Sequence, residues 1–204
     1  MPVQIACVVE GYGDVEAVPI VVRRIAERFD PGISVHIPLP IRIPKSKLLK
    51  PTELERAVDL AIRKIGGNGA VLVVLDSDDD CPRDVAPHLL QRITHEFGHM
   101  PIPLAVVLAK REFESWFLAA AGSLRGNRGL LQELEPPPDP EEIRDAKGWL
   151  SSQMEEGHRY VGTLDQPAFA SLFDLGLARQ ADSFDKFYRD IERILAAIRG
   201  VEQH

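Results

Sequence analysis

The chain has 204 residues, 45% of them hydrophobic and 27% charged, and a net charge of -7. That length buries a core as one domain, or as one domain with a helical addition, without needing an oligomer. The acidic balance excludes a general nucleic-acid coat protein, because phosphate binding rests on Lys and Arg, and two cysteines supply neither a disulfide framework nor a Cys-based zinc site.

Val3–Val9 is a continuous apolar run ending before a glycine, the mark of a strand buried on both faces. Met1 leads straight into it, leaving no room for a leader, and no apolar stretch matches a membrane span; the expected setting is cytoplasmic, with no membrane partner. Residues 15–29 have helical periodicity, with Val18, Val22, Ile25 and Phe29 on one stripe. Residues 33–39 predict a second strand, followed by a Pro-rich loop. Thr52 and Glu55 have the spacing of a capping box opening a helix that Gly66 and Gly67 should end. Residues 70–75 (AVLVVL) predict a third buried strand, residues 84–97 a third helix capped by Asp84, and Leu104–Ala109 a fourth strand.

Strands alternating with helices imply parallel pairing and right-handed crossovers. Beyond residue 109 helix-like segments follow one another, at 113–121, 140–154, 166–175 and 184–198. The expected architecture is α/β and Rossmann-like: a mostly parallel four-stranded sheet flanked by helices over residues 1–110, with a C-terminal helical extension over 111–204 packed on that core.

In open parallel sheets ligands gather at the carboxyl ends of the strands. The first strand runs into Glu10-Gly11-Tyr12-Gly13-Asp14, the third into Asp76-Ser77-Asp78-Asp79-Asp80, and the fourth into Lys110-Arg111-Glu112-Phe113-Glu114. Acids so aimed repel one another unless protons or a cation intervene, and hard oxygen donors in that number suit Mg²⁺ or Mn²⁺. A dinucleotide fingerprint is excluded because Glu16 stands where the third glycine belongs. Asp14 reads either as a helix cap or as a ligand, whereas Glu10 has no capping role. Of Glu112 and Glu114, only one is expected to reach the site.

Competing motifs are weaker. An EF-hand would need glycine at Cys81 and glutamate at Pro87. A phosphatase with Asp76 as nucleophile and Asp78 as acid/base would ordinarily carry its D-x-D on the first strand. His95-Glu96-Phe97-Gly98-His99 matches the zinc pattern H-E-x-x-H, but Gly98 and Pro101 should fray the helix where the second histidine must be held. Within the acidic whole, residues 42–50 carry four cations and no acid. Arg42, Lys45, Lys47 and Lys50, with Lys110 and Arg111 beyond the fourth strand, are the candidate nucleic-acid contacts.

The pair Glu10-Gly11 and Asp76-x-Asp78 resembles the Toprim domain, and E-G-x-x-D from Glu10 to Asp14 is similar to the E-G-x-x-E of its overcoming-lysogenization-defect nuclease branch, with Asp14 one methylene shorter. The segment from Arg111 to Ala119, those around Lys147 and Tyr160, and Ser183-Phe184 resemble a Toprim-related family catalogued as a domain of unknown function. The resemblance implies metal-dependent phosphodiester hydrolysis: Glu10, Asp76 and Asp78 hold Mg²⁺ or Mn²⁺, Asp14 and Glu112 are further metal candidates, and Glu114 is a further catalytic acid. It also implies a nucleic-acid partner, DNA before RNA, and a possible partner protein such as an ATPase. The alternatives are a non-cleaving module that holds nucleic acid or a nucleotide for a partner, and a small-molecule phosphatase.

Overall fold

The computed structural model describes residues 2–202. Met1 and residues 203–204, the ends of the expected core and extension, lie outside the described residues. The elements run β1 (Val3–Val9), α1 (Asp14–Phe29), β2 (Val35–His36), β3 (Ile41–Arg42), α2 (Lys45–Leu48), α3 (Glu53–Lys64), β4 (Ala70–Asp76), α4 (Pro82–Phe97) and β5 (Leu104–Ala109). Then come α5 (Ser115–Ala119), two short 3-10 turns, α6 (Ala146–Ser152), α7 (Gly162–Leu172), α8 (Leu175–Ala178) and α9 (Asp182–Glu202).

The fold is α/β with a wholly parallel, Rossmann-like sheet in the order β2-β1-β4-β5. Its central strands explain their own apolar runs. In β1, Ile5, Cys7 and Val9 face one core while Ala6 and Val8 face the other, and β4 and β5 divide in the same way. The first core is covered by α1, α5, α7 and α9, the second by α3 and α4. Both faces are therefore dry, which is what lets a strand be apolar at every position. Buried this deeply, the Cys7 thiol has its pKa pushed up to about 12.

The expected second strand is interrupted. Val35–His36 pairs with the start of β1 and Ile41–Arg42 with its end. Pro38 and Pro40 lie between them, and neither has an N–H to give a ladder. The expected caps differ too. Thr52 sits at a left-handed φ of 67°, not the extended backbone of a cap, and makes no side-chain cap bond, while the Glu55 carboxylate goes to Arg92 of α4 at 2.8 and 2.9 Å. Cys81, not Asp84, occupies the cap of α4, with Pro82 at the first helical position, where a missing N–H costs nothing.

The chain after β5 completes the first layer. Trp116, Phe117, Phe169, Phe173, Phe184 and Phe187 are all fully buried against one another. Ser183 Oγ accepts from Lys110 N–H at 3.1 Å and from Trp116 Nε1–H at 2.8 Å, tying the start of α9 to the end of β5. Arg24 of α1 donates to the carbonyls of Ala170 and Phe173 at 2.7 and 2.8 Å, closing the last turn of α7. Among the described residues no helix is long and apolar enough to cross a membrane.

Candidate functional site

From β1 the chain first steps outward through α1 to β2, then crosses back through α3 to β4 on the other side of β1. The strand order thus reverses between β1 and β4, and the crevice at their carboxyl ends is where ligands of such sheets sit. Glu10 and Asp76 are the residues that leave β1 and β4 at that point.

A cavity of about 280 Å³ opens there, lined by Asp14, Asp76, Glu114 and Lys147 together with Gly11, Tyr12, Gly13, Gly162, Thr163 and Gln166. Asp76 Oδ1 accepts from Phe113 N–H at 2.8 Å. Glu114, 1% exposed, accepts from the Tyr160 hydroxyl at 2.9 Å and pairs with Lys147 Nζ at 3.2 Å. Lys147 also reaches Glu112 at 2.6 Å. Asp14 accepts from Gly11 N–H at 2.7 Å and from Gln166 Nε2 at 2.5 Å, so its carboxylate faces the cavity and caps no helix end. Glu10 takes two long bonds, from Lys45 N–H at 3.2 Å and Asp76 N–H at 3.3 Å.

The electrostatics record the crowding. Asp76 is raised well above the ordinary carboxylate range, first by burial and then by Asp14, Glu114 and Glu10, with Lys147 opposing. Burial also raises Glu114 against the pull of Lys147 and Tyr160, and raises Glu10 against its two backbone donors. Lys147 is raised because Glu114, Glu112 and Asp76 outweigh its own burial. Burial, then Glu114, pushes the Tyr160 hydroxyl upward, so it stays a donor.

The glycines of the first turn have a packing reason. A Cβ on Gly13 would overlap Gln166 Oε1 and come within 2.8 Å of the Gly162 carbonyl, so only glycine lets the start of α7 close over the turn. The loops after β4 and β5 are stitched together by Ser77 N–H to Ala109 O at 2.8 Å, Asp78 N–H to Arg111 O at 3.0 Å and Arg111 N–H to Ser77 Oγ at 2.9 Å. Asp78 and Arg111 adopt left-handed φ values of 52° and 65°, strain of the kind held at functional sites.

Glu10, Asp14, Asp76 and Glu114 are thus brought together, with Glu112 joined through Lys147. Asp78 turns aside: its carboxylate, 67% exposed, pairs with Lys45 Nζ at 3.0 Å. It lines a separate open groove of about 820 Å³ with Lys110 and Arg111, walled by α4 and α9 and mixed in sign. Among the described residues no group of three His, Cys, Asp or Glu already converges as a metal site. His95 and His99 are both exposed, and α4 ends at Phe97, before His99.

Most of the candidate phosphate contacts are engaged. Lys45 is 6% exposed, with its ammonium on the Ser77 carbonyl at 2.7 Å, Asp78 at 3.0 Å and Asp80 at 2.9 Å; burial lowers its pKa, but these bonds raise it further. Lys47 pairs with Glu53 at 3.5 Å, Lys110 with Glu142, and Arg111 with Asp79 at 2.5 Å and Glu142 at 3.3 Å. Arg42 lies over the ring of Tyr12, and Lys50 is exposed.

Lys147, Tyr160 and Gln166 are site residues that motif spacing does not single out, since only tertiary folding brings α6 and α7 to the strand ends. Lys147 and Tyr160 stand in segments that carry the resemblance without its assigning them a role, and Gln166 stands in none. No match to the chain was found among curated proteins or among solved structures. A family model matches residues 9–192, a span that holds every residue of the cavity, and the chain belongs to that family, the domain of unknown function DUF4276.

Proposed function

We propose that this protein hydrolyses phosphodiester bonds of nucleic acid with the help of Mg²⁺ or Mn²⁺. The observation that carries the proposal is the gathering of Asp14, Asp76 and Glu114 around one cavity, with Glu10 bonded to the Asp76 N–H, at the reversal point of a parallel sheet. The likeness of Glu10-Gly11 and Asp76-x-Asp78 to Toprim motifs supports the same activity.

The donor set fits a hard divalent ion in its chemistry: all oxygen, and crowded enough that a cation relieves the repulsion raising Asp76. Glu10 and Asp76 would hold it, since Glu10 is bound only by long hydrogen bonds and Asp76 is held through one oxygen. Asp14, Asp78 and Glu112 are the remaining candidates of the set. When bound, such an ion supplies a water of lowered pKa and positive charge beside the leaving oxygen. The Phe113 N–H orients Asp76, Tyr160 and Lys147 orient Glu114, and Lys147 offsets the negative charge that an incoming phosphate must meet.

A second reading has its own observation. Lys147 already pairs with both Glu112 and Glu114, and among the described residues no three acids lie close enough to hold a metal ion as they stand, an arrangement that suits a non-cleaving module holding nucleic acid or a nucleotide for a partner protein. Incubation with plasmid, single-stranded DNA and RNA, in Mg²⁺, Mn²⁺, Zn²⁺ or chelator, separates the two. Cleavage in Mg²⁺ or Mn²⁺ alone, lost in folded Glu10→Ala and Asp76→Ala, is the expected result. Binding without cleavage in every arm selects the second reading.

A further inference from the structure

Of the three tyrosines, Tyr160 and Tyr188 are buried while Tyr12 is 70% exposed. Tyr12 lies in the turn between Glu10 and Asp14 and lines the acid cavity together with Asp76 and Glu114. The Arg42 guanidinium lies over its ring, Cζ 3.8 Å from the centroid. Both partners are anchored. Arg42 belongs to β3, in register with Val9, and the next residue donates its N–H to the Val9 carbonyl at 2.9 Å. The turn carrying Tyr12 is closed by the Gly11 N–H bond to Asp14. An aromatic–guanidinium pair therefore stands at the rim of the cavity, with Tyr12 largely in water.

We infer that Tyr12 and Arg42 form a stacking platform for an unpaired nucleobase, so that the substrate class of the adjoining site is single-stranded nucleic acid. The inference rests on the proposed phosphodiester site, because that site supplies the reason for a nucleotide to lie there. Every base has a π face, so the ring accepts purines and pyrimidines alike, and the guanidinium adds cation–π attraction. A base inside a duplex has both faces covered by its neighbours and is denied the platform unless it is first unstacked. With the base on Tyr12, its phosphate falls toward the cavity that the same residue lines. The three acids that line the cavity, Asp14, Asp76 and Glu114, offer a phosphate no attraction of their own, so base stacking supplies it.

The test is fluorescence anisotropy of a labelled single-stranded oligonucleotide and of a blunt duplex hairpin, with Ca²⁺ in place of Mg²⁺. Tyr12→Ala is expected to weaken single-strand binding by about 5- to 160-fold, the equivalent of roughly 1–3 kcal/mol of stacking, while Tyr12→Phe binds like wild type and the duplex is indifferent to both changes. In parallel, tetranitromethane should nitrate Tyr12 before the buried tyrosines, and the oligonucleotide should protect it. Equal single-strand affinity of Tyr12→Ala and wild type, or nitration without protection, overturns the platform. Equal protection by adenosine monophosphate at the same nucleotide concentration overturns the assignment to a strand in favour of a free nucleotide. A Tyr12→Ala binding defect without cleavage in Mg²⁺ or Mn²⁺ keeps the platform and removes the nuclease proposal. Metal-dependent cleavage with unaltered Tyr12→Ala binding does the reverse.

Discussion

Tyr160 donates its hydroxyl hydrogen to Glu114 Oε1 at 2.9 Å, and both side chains are buried. Lys147 takes the other Glu114 oxygen, so the carboxylate is held from two sides. Tyr160→Phe removes one holder at nearly constant volume. The expected loss is about 1.5–3 kcal/mol, the range for a hydrogen bond to a charged group, read from denaturant melts. The pKa of Glu114 should rise further, because the lost bond favours its charged form; carbon-detected NMR titration of the glutamate carboxyls checks the direction.

Asp76 gives a pH signature. Its pKa is raised by burial, then by Asp14, Glu114 and Glu10, so the folded protein favours its protonated form. The stability it lends is complete below its unfolded pKa of about 3.9 and is lost as pH rises through the raised folded value. In chelator, wild type should therefore fall behind Asp76→Asn as pH climbs from about 4 toward neutrality. At neutral pH the variant should be the more stable by on the order of 1 kcal/mol. Added Mg²⁺ should raise the melting temperature of wild type more than that of the variant. Superimposable stability curves for the two proteins would remove Asp76 from the crowded cluster.

Gly13→Ala inserts a methyl group where Gln166 and the Gly162 carbonyl already sit. Overpacking of this kind costs about 1–3 kcal/mol, and the start of α7 must move away from the turn. Faster amide exchange in residues 162–166, with exchange in β1 unchanged, is the expected pattern. Gly66→Ala, at a left-handed position with open space around it, should carry only backbone strain and leave that exchange alone.

The basic segment divides in two. Lys45→Ala strips the Ser77 carbonyl, Asp78 and Asp80 of a shared buried donor and should cost about 1–3 kcal/mol of stability. Lys50→Ala should leave stability unchanged, and if Lys50 meets phosphate it flattens the slope of log affinity against log salt by about 0.9 for duplex DNA. An unaltered slope would make Lys50 a solvated residue and nothing more.

The central strands are legible in the sequence because both faces of the sheet are dry, so hydrophobicity alone marks β1, β4 and β5 to within a residue. β2 and β3 are not, because Pro38 and Pro40 break the edge that the apolar pattern suggests is continuous. Helix caps fail for a different reason: Glu55 and Asp84 have the right spacing, but Pro82 and the left-handed backbone of Thr52 decide the outcome. At the site, the acids that end strands follow from chain order. The direction of Asp78 does not, since it depends on a left-handed backbone and on Lys45 arriving from another loop. Lys147, Tyr160 and Gln166 are hidden for the same reason, being set by how α6 and α7 dock.

That docking has a consequence for how the protein is made. Glu10 and Asp76 leave the ribosome well before Glu114, Lys147, Tyr160 and Gln166, and until the later segments arrive one face of the sheet is covered by α1 alone. The hydrophobic layer that finishes the fold and the wall that finishes the cavity are contributed by the same stretch of chain. A nascent or truncated polypeptide therefore lacks the wall of the cavity for as long as it lacks a complete core, so assembly of the acids is timed by folding.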